Sequence, residues 1–210
     1  LRLQASINPA GCSESLFTAI KRAGFSSLVC TPDSASDAML NSLGKGFTTA
    51  ELSKMVDAVH AIDVPVLWCF LFGGPGETEA TVRETLRFIE ARLTDRDVVF
   101  LAAGIRIYPG ARLAQIAAKE GLVNPEDGLL APTFYFSWSL SPDRFVALVR
   151  DHLSRRKSYV LAGDLGLSLL PALQRAASVL RIKVPLWQYA SLLNQLVPYR
   201  GFASRQKKPS

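Results

Sequence analysis

Residues Val64–Arg87, VPVLWCFLFGGPGETEATVRETLR, change their hydrophobic pattern at a glycine-rich corner, Gly73–Glu77. Val64–Phe72 is a continuous apolar run, which is typical of a strand buried on both faces. From Thr78 onward apolar residues return at helical spacing, and Thr78 itself is a suitable helix N-cap. The stretch therefore predicts a βα unit, and α/β folds with parallel strands place their ligands at corners of this kind.

Strand-like segments alternate with amphipathic helical patterns along the first 121 residues. The predicted strands are Leu1–Ile7, Ser26–Thr31, Val64–Phe72 and Val98–Tyr108. The predicted helices are Glu14–Ala23, Thr49–Ile62, Thr78–Leu93 and Ala111–Glu120. This alternation predicts an α/β fold with a parallel sheet and right-handed crossovers, which we assign to a first domain, residues 1–121.

The pattern changes after Gly121. Residues 122–141 form a turn-rich connection with an aromatic cluster, Phe134-Tyr135-Phe136 and Trp138. Residues 142–200 are predicted to be a helical extension, with helices from Ser141 to about Arg156, over Leu165–Leu180 and over Leu186–Val197. Residues 201–210 are polar and basic, and we expect them to be a disordered tail.

The positive charge of the chain is concentrated near its end. The net charge is +6, but residues 151–210 hold ten of the 24 Lys and Arg and two of the 18 Asp and Glu. We interpret this excess as a solvated surface, with RNA or anionic lipid binding as the less favoured alternative, and no nucleic-acid partner is expected. The apolar stretch after Asp164 is interrupted at Gln174 and Arg175, so we expect no transmembrane segment.

The cysteines are Cys12, Cys30 and Cys69, an odd number without CxxC spacing. This pattern favours neither a disulfide framework nor a complete metal site within the chain. Small buried hydrophobes in a cytoplasmic protein are the expected role for all three.

Arg106 and Tyr108 alternate with two isoleucines at the end of the fourth predicted strand. If the isoleucines face covering helices, then the arginine and the tyrosine point into the opposite space. A buried guanidinium requires an anionic partner, either a ligand carboxylate or phosphate, or Asp33 or Glu77 in a structural pair. An exposed arginine is the third alternative.

Two other strand ends carry candidate residues. Asp33 and Ser34 are suited to accept hydrogen bonds from vicinal hydroxyls, although capping of a short helix over Ala35–Leu43 explains them equally well. The Gly73–Glu77 corner lacks the lysine and Ser/Thr of a phosphate loop. Glu77 is therefore expected to accept from an amino or hydroxyl group, or to hold the backbone of its own loop.

Three motifs, taken together in this order and spacing, resemble the later half of radical S-adenosylmethionine (SAM) enzymes. They are Ser34–Leu40 with Leu43–Thr48, then FLFGGPGET at 70–78, then RIYPG at 106–110. Residues 129–137, LLAPTFYFS, also resemble the next segment of these enzymes. The likeness covers roughly residues 1–160 and is strongest to the type that carries an amino-terminal cobalamin-binding domain.

The resemblance implies the last four βα units of a six-stranded partial TIM barrel, followed by a helical C-terminal extension. It implies that the strand ends form a rim that binds SAM, beside a 4Fe–4S cluster. The residues it assigns to the rim are Asp33 and Ser34 at the ribose, Gly73, Gly74, Pro75, Gly76 and Glu77 around the adenine and methionine, and Arg106, Tyr108 and Pro109 where the last strand passes the adenine. Asp33 stands where the family usually has Glu, and Thr31-Pro32 precedes it in place of Gly-Thr.

The cluster-binding CxxxCxxC motif does not occur in this sequence. The resemblance therefore implies that an amino-terminal half of the barrel supplies the cluster ligands, and that this chain alone is inactive and carries no catalytic residue. Cobalamin would be bound through a further domain, and the substrate and reaction type stay unspecified. An unpaired sheet edge leads us to expect dimerisation, aggregation or pairing with that half. The alternative function is a non-catalytic α/β module that binds a nucleotide-like ligand.

Overall fold

The structure, a computed structural model, describes residues 3–124, 126, 128–155, 158–161, 175 and 186–189. Five parallel strands form its main sheet, in the order β1-β2-β3-β4-β7. They are β1 (Leu3–Ile7), β2 (Phe25–Asp33), β3 (Val66–Phe72), β4 (Val98–Ala103) and β7 (Tyr159–Leu161). A second, two-stranded antiparallel ribbon consists of β5 (Ile105–Arg106) and β6 (Phe134–Tyr135). The predicted α/β class with a parallel sheet is confirmed.

Six α-helices accompany these strands within the described residues. They are α1 (Glu14–Arg22), α2 (Asp37–Ser42), α3 (Thr49–Ile62), α4 (Glu79–Arg92), α5 (Arg112–Lys119) and α6 (Pro142–Arg155). Thr48 and Thr78 cap α3 and α4 through reciprocal side-chain and backbone hydrogen bonds, which satisfy free N–H groups at the first turn. The N-cap role predicted for Thr78 is therefore confirmed.

Among the described residues, helices cover one face of the sheet and leave the other face more open. In β3 the side chains of Val66, Trp68, Phe70 and Phe72 are buried in the main core, whereas Leu67, Cys69 and Leu71 alternate with them and are half-buried. The expectation of a strand buried on both faces is wrong for β3, because Leu67, Cys69 and Leu71 stay half-buried on a face that none of the described helices covers as fully. Leu67 packs instead in a small separate cluster with Phe100 and Trp187.

The fourth predicted strand is interrupted at Gly104. This glycine has a φ of 80°, and its N–H donates to the carbonyl of Phe72 over 2.8 Å. The chain then leaves the sheet, so that Ile105 and Arg106 pair with Tyr135 and Phe134 instead of continuing β4. A positive φ turns the backbone out of the extended conformation, which explains why Val98–Tyr108 is not one strand.

The extension over residues 142–200 is not helical throughout. Its first helix, α6, is present, but Tyr159–Leu161 forms β7 and pairs in parallel with Val99–Leu101 of β4. Three consecutive buried residues are too short a signal to separate a strand from a helix in sequence. Leu186–Tyr189 is a single 3-10 turn. Arg175, inside the predicted helix Leu165–Leu180, is helical, whereas the rest of that helix, most of Leu186–Val197 and the tail 201–210 lie outside the described residues.

Asp97 organises the amino-terminal edge of the sheet. Its buried carboxylate accepts from the indole N–H of Trp68 over 2.8 Å and from the N–H of Thr94 over 2.7 Å. His60 Nε2 lies 2.9 Å from the same carboxylate. Asp97 therefore ties β3, α3 and the turn before β4 together at the edge opposite the predicted ligand site.

Candidate functional site

The carboxyl ends of β2, β3 and β4 meet at one edge of the sheet, because the three strands are parallel neighbours. Asp33 ends β2, the Gly73–Glu77 corner follows β3, and Gly104 follows β4. Asp33, Ser34 and the Gly73–Glu77 corner therefore lie at adjacent strand ends, whereas Arg106, Tyr108 and Pro109 lie in and after β5, beyond the end of β4.

Glu77 holds the glycine corner from inside. Its side chain is 1% exposed, and Oε2 accepts from the N–H groups of both Gly73 and Gly74. Oε1 is buried without a hydrogen-bond partner among the described residues. Burial raises the pKa of this carboxyl to about 7, and the two glycine N–H donors oppose that rise. The sequence predicts two roles for Glu77, and the observed one is to accept hydrogen bonds from the backbone of its own loop.

The corner is packed closely around its first two residues, and Gly73 needs to be glycine. A Cβ built on Gly73 would lie 2.4 Å from Cδ2 of Phe136, and one on Gly74 would lie 3.0 Å from Cε of Met39. The φ of Gly73 is also +91°, a conformation that L side chains rarely adopt. Gly76 has a φ of +81°, but nothing lies within 4 Å of a Cβ at that position.

The aromatic connection is fastened to this corner by Ser137. The N–H of Ser137 donates to the carbonyl of Gly73 over 2.9 Å, and its hydroxyl donates to the carbonyl of Glu77 over 2.8 Å. On the opposite flank, the hydroxyl of Ser42, at the end of α2, donates to the carbonyl of Pro75 over 2.7 Å. The corner is thus held by the segments that follow β2 and β6.

Asp33 is half-buried at the end of β2 and has a φ of 64°. Its Oδ2 atom accepts from the ammonium of Lys45 over 2.8 Å, and the same ammonium donates to the carbonyl of Thr31 over 3.0 Å. Lys45 therefore holds the carboxylate at the strand end through one of its two oxygens. In the sequence Lys45 stands out only as part of a motif, which assigns it no role of its own.

Ser34 faces the interior. It is 1% exposed, its hydroxyl lies 3.0 Å from the hydroxyl of Thr85 on α4, and it accepts from the N–H of Ser36 over 3.1 Å. The residue therefore fixes the turn between β2 and α2 against α4. Ser36 is the N-cap residue of α2, without a side-chain cap bond, so the predicted capping by Asp33 and Ser34 is wrong.

Arg106 and Tyr108 lie on the solvent side of the β5–β6 ribbon. Arg106 is exposed, its guanidinium carbon lies 4.9 Å from the centre of the Tyr108 ring, and Tyr108 is 55% exposed. The expectation of a buried guanidinium paired with Asp33 or Glu77 is wrong, because Asp33 binds Lys45 and Glu77 binds its own loop. Pro109 is also exposed.

The cysteines do not suit a metal cluster. Burial raises the pKa of all three thiols, that of Cys69 to about 11. Across the described ranges no group of His, Cys, Asp or Glu has an arrangement that holds a metal. The same ranges contain no helix that is long and apolar enough to cross a membrane.

Known structures share this fold. A radical SAM methyltransferase, TsrM, from Kitasatospora setae with cobalamin and a 4Fe–4S cluster bound aligns over 93% of this chain and 44% of its own, with 18% identity and a TM-score of 0.71. The chain has the fold found in radical SAM enzymes. The cobalamin-dependent SAM radical enzyme OxsB aligns over 93% of this chain and 42% of its own, with 13% identity and a TM-score of 0.52.

A third radical SAM enzyme, coproporphyrinogen III oxidase (HemN) from Escherichia coli, aligns over 73% of this chain and 31% of its own, with 14% identity and a TM-score of 0.50. The chain thus spans less than half the length of these enzymes. No family model matches the sequence. No curated protein matches it either.

Proposed function

We propose that this chain is the carboxyl-terminal part of a radical SAM enzyme and contributes the rim that binds the adenosyl group of SAM. The proposal is supported by two likenesses to radical SAM enzymes, one in the fold and one in the sequence motifs. The fold aligns with TsrM over 93% of the chain, the motifs at 34–48 and 70–78 follow or overlap the ends of β2 and β3, and the motif at 106–110 begins in β5.

The residues of the rim have two kinds of role in this proposal. Asp33, Gly76, Tyr108 and Pro109 are at least partly accessible and would contact the ligand. Pro75 is half-buried like Asp33, whereas Ser34, Gly73, Gly74 and Glu77 are buried and would shape the rim from behind. Arg106 is exposed and would act at the margin of the site. A carboxylate at a strand end suits ribose hydroxyls, which is why Asp33 is the contact we weight most.

The cofactors of the complete protein would be SAM and a 4Fe–4S cluster, with cobalamin bound through a further domain. The chain's own residues fit an adenosyl group in part, through the Asp33 carboxylate and the open strand ends. They do not fit the cluster, because the three cysteines lack the CxxxCxxC spacing. We propose that the cluster ligands lie in an amino-terminal half, with which these strands complete a partial TIM barrel.

To test the proposal, a protein is expressed that contains this chain together with the sequence encoded immediately upstream of it. After anaerobic reconstitution with iron and sulfide, we expect about four irons per chain and reductive release of 5′-deoxyadenosine from SAM. Absence of a CxxxCxxC motif upstream, or failure to bind iron, would contradict the proposal.

Titration of this chain alone with SAM, S-adenosylhomocysteine and adenosine tests the alternative. Without a cluster to ligate the methionine, we expect the three ligands to bind weakly and alike. Tight binding of SAM by the isolated chain would favour the non-catalytic nucleotide-binding module, for which the absence of cluster ligands in these residues is the motivating observation.

A further inference from the structure

The buried carboxyl of Glu77 has one oxygen without a hydrogen-bond partner. Its Oε2 atom accepts from the N–H groups of Gly73 and Gly74, whereas Oε1 has no partner among the described residues. A buried carboxylate oxygen without a donor has lost its hydration and gained nothing in return. A protonated carboxyl fits these surroundings better, because the proton neutralises the group and Oε2 can still accept from both glycines.

The elements packed on the corner bring no counter-charge to this carboxyl. They are α2, α4, β5 and the aromatic connection, and β2 lies beside them. The charged side chains at this end of those elements have contacts elsewhere: Glu79 pairs with Arg83 and Arg144, Asp33 pairs with Lys45, Asp37 accepts from the N–H of Thr49, and Arg106 lies over Tyr108. Within the part of the chain that the structure describes, Glu77 has no ion pair.

Uncharged groups alone therefore set the pKa of Glu77. Burial raises it to about 7, and the N–H groups of Gly73 and Gly74 and the hydroxyl of Thr81 oppose the rise. The Thr81 hydroxyl donates to the carbonyl of Thr78 over 3.0 Å, so its proton is not on Oε1. The carboxyl can thus change its charge near neutral pH with no cation beside it to stabilise the ionised form.

The shape of the corner depends on the state of this carboxyl. The N–H of Glu77 donates to the carbonyl of Gly74 over 3.0 Å, so its backbone and its side chain close the same turn. An ionised carboxylate in this position has to take up water or leave its pocket, and either change weakens its hold on the two glycine N–H groups. The accessible residues of the corner, Pro75 and Gly76, lie inside the loop that Glu77 closes.

We propose that Glu77 is a proton-linked positioning residue, whose carboxyl takes up a proton from solvent when an adenosyl group binds at the strand ends. This inference rests on the function proposed above. A ligand there covers the corner and excludes water from it, which disfavours the ionised carboxyl. The ligand also contacts the closed corner, which the neutral carboxyl holds, so binding selects the protonated population. Glu77 acts through the backbone of residues 73–76 and does not touch the ligand.

Calorimetric titration of the chain with adenosine measures this coupling. Adenosine is the probe because it is neutral, whereas the sulfonium of SAM would itself favour an ionised carboxyl. At pH 7 the titration is repeated in buffers of different ionisation enthalpy, and the slope of the observed enthalpy gives the protons taken up. We expect about 0.5 proton per adenosine, because about half of a carboxyl is ionised at its pKa. The dissociation constant should rise about tenfold from pH 6 to pH 8.

Matched variants assign the proton to Glu77. Glu77→Gln keeps an acceptor for the two glycine N–H groups and cannot titrate, so proton uptake and the pH dependence of adenosine affinity should both disappear. Histidine is the residue class that otherwise exchanges protons near neutral pH, and the chain has two. The double variant His60→Gln with His152→Gln should keep the uptake. Circular dichroism confirms that each variant is folded.

Carbon-13 NMR of the Glu77 carboxyl in the native chain gives a second readout that needs no variant. The midpoint of its titration should move to higher pH when adenosine is added. Adenosine binding without proton uptake, equal uptake by Glu77→Gln, or an unmoved NMR midpoint would each overturn this inference and leave the proposed function standing. A native chain that binds no adenosine would overturn the proposed function and this inference with it.

Discussion

Ser137 is joined to Glu77 by a hydrogen bond of 2.8 Å between its hydroxyl and the glutamate's backbone carbonyl. The partners are 60 residues apart in sequence, and both are buried. With the Ser137 N–H on the carbonyl of Gly73, this contact makes the aromatic connection and the glycine corner a single unit.

Replacement of Ser137 by alanine should loosen that unit. Ser137→Ala leaves the carbonyl of Glu77 buried without its donor, which should cost about 1–3 kcal/mol in the free energy of unfolding. Urea denaturation followed by circular dichroism measures the change. Ser15→Ala, on an exposed face of α1, is the control and should change stability by less than about 0.5 kcal/mol. Equal effects of the two variants would refute a structural role for the Ser137 contact.

A side chain in the corner should destabilise the fold in two ways, through backbone strain and through a clash with neighbouring atoms. Substitutions of Gly73 and Gly76 separate the two effects. Both have a positive φ, so Gly73→Ala and Gly76→Ala should each lose about 1–2 kcal/mol through backbone strain. Only the Cβ at position 73 meets Phe136, so Gly73→Ala should be the more destabilised, by about 1 kcal/mol more. Denaturant midpoints of the two variants measure the difference, and a larger loss at Gly76 would contradict the close packing of Gly73 on Phe136.

Glu77 should make stability depend on pH. The pKa of its carboxyl is about 7 in the folded state against an ordinary value of 4.5, so folding favours the protonated form. Its contribution is complete below about pH 4.5 and is lost as pH rises to about 7, a change of at most about 3 kcal/mol.

The matched variant for this effect is Glu77→Gln, which has no titratable group at the position. The difference in unfolding free energy between the native chain and this variant should shift against the native chain from pH 5 to pH 8. A difference that stays constant over this range would show that Glu77 is not held protonated by burial.

The sequence is sufficient for the architecture where hydrophobic periods are long. The helix Thr49–Ile62 is observed with the predicted bounds, and β3 begins two residues after the predicted start. The predictions that fail concern short elements or single residues. Tyr159–Leu161 is too brief to have a period, and a lone glycine such as Gly104 does not by itself distinguish a weak point in a strand from the end of β4.

The position of the candidate site could be predicted from the sequence, but the hydrogen bonds within it could not. Strand ends of a parallel sheet converge by topology, so Asp33 and Glu77 could be placed at one edge from their positions alone. Which polar atom binds which depends on tertiary packing. Lys45 on Asp33, Thr85 beside Ser34 and Ser137 on Glu77 are contacts across 12, 51 and 60 residues, for which local patterns carry no signal.

Asp97 should contribute to the stability of the fold and not to ligand binding at the strand ends. Asp97→Asn keeps the size of the side chain but weakens its acceptance from Trp68 and Thr94, and we expect a loss of about 2–4 kcal/mol. Asp57→Asn removes a surface pair with Arg92 and should cost less than about 1 kcal/mol. Thermal denaturation compares the two, and because Asp97 lies at the opposite edge, adenosine affinity at a temperature where both variants are folded should be unchanged.

Asp33 is the residue on which ligand recognition should depend. Lys45 engages Oδ2, so the carboxylate keeps acceptor capacity for a ribose hydroxyl, and a hydrogen bond to a charged acceptor is stronger than one to a neutral amide. Asp33→Asn should therefore weaken adenosine binding about tenfold in calorimetric titration. The control ligand is 2′,3′-dideoxyadenosine, which lacks both hydroxyls and should bind the native chain and the variant alike. If the substitution weakens both ligands equally, Asp33 acts by holding the strand end in place through Lys45, and the ribose contact is wrong.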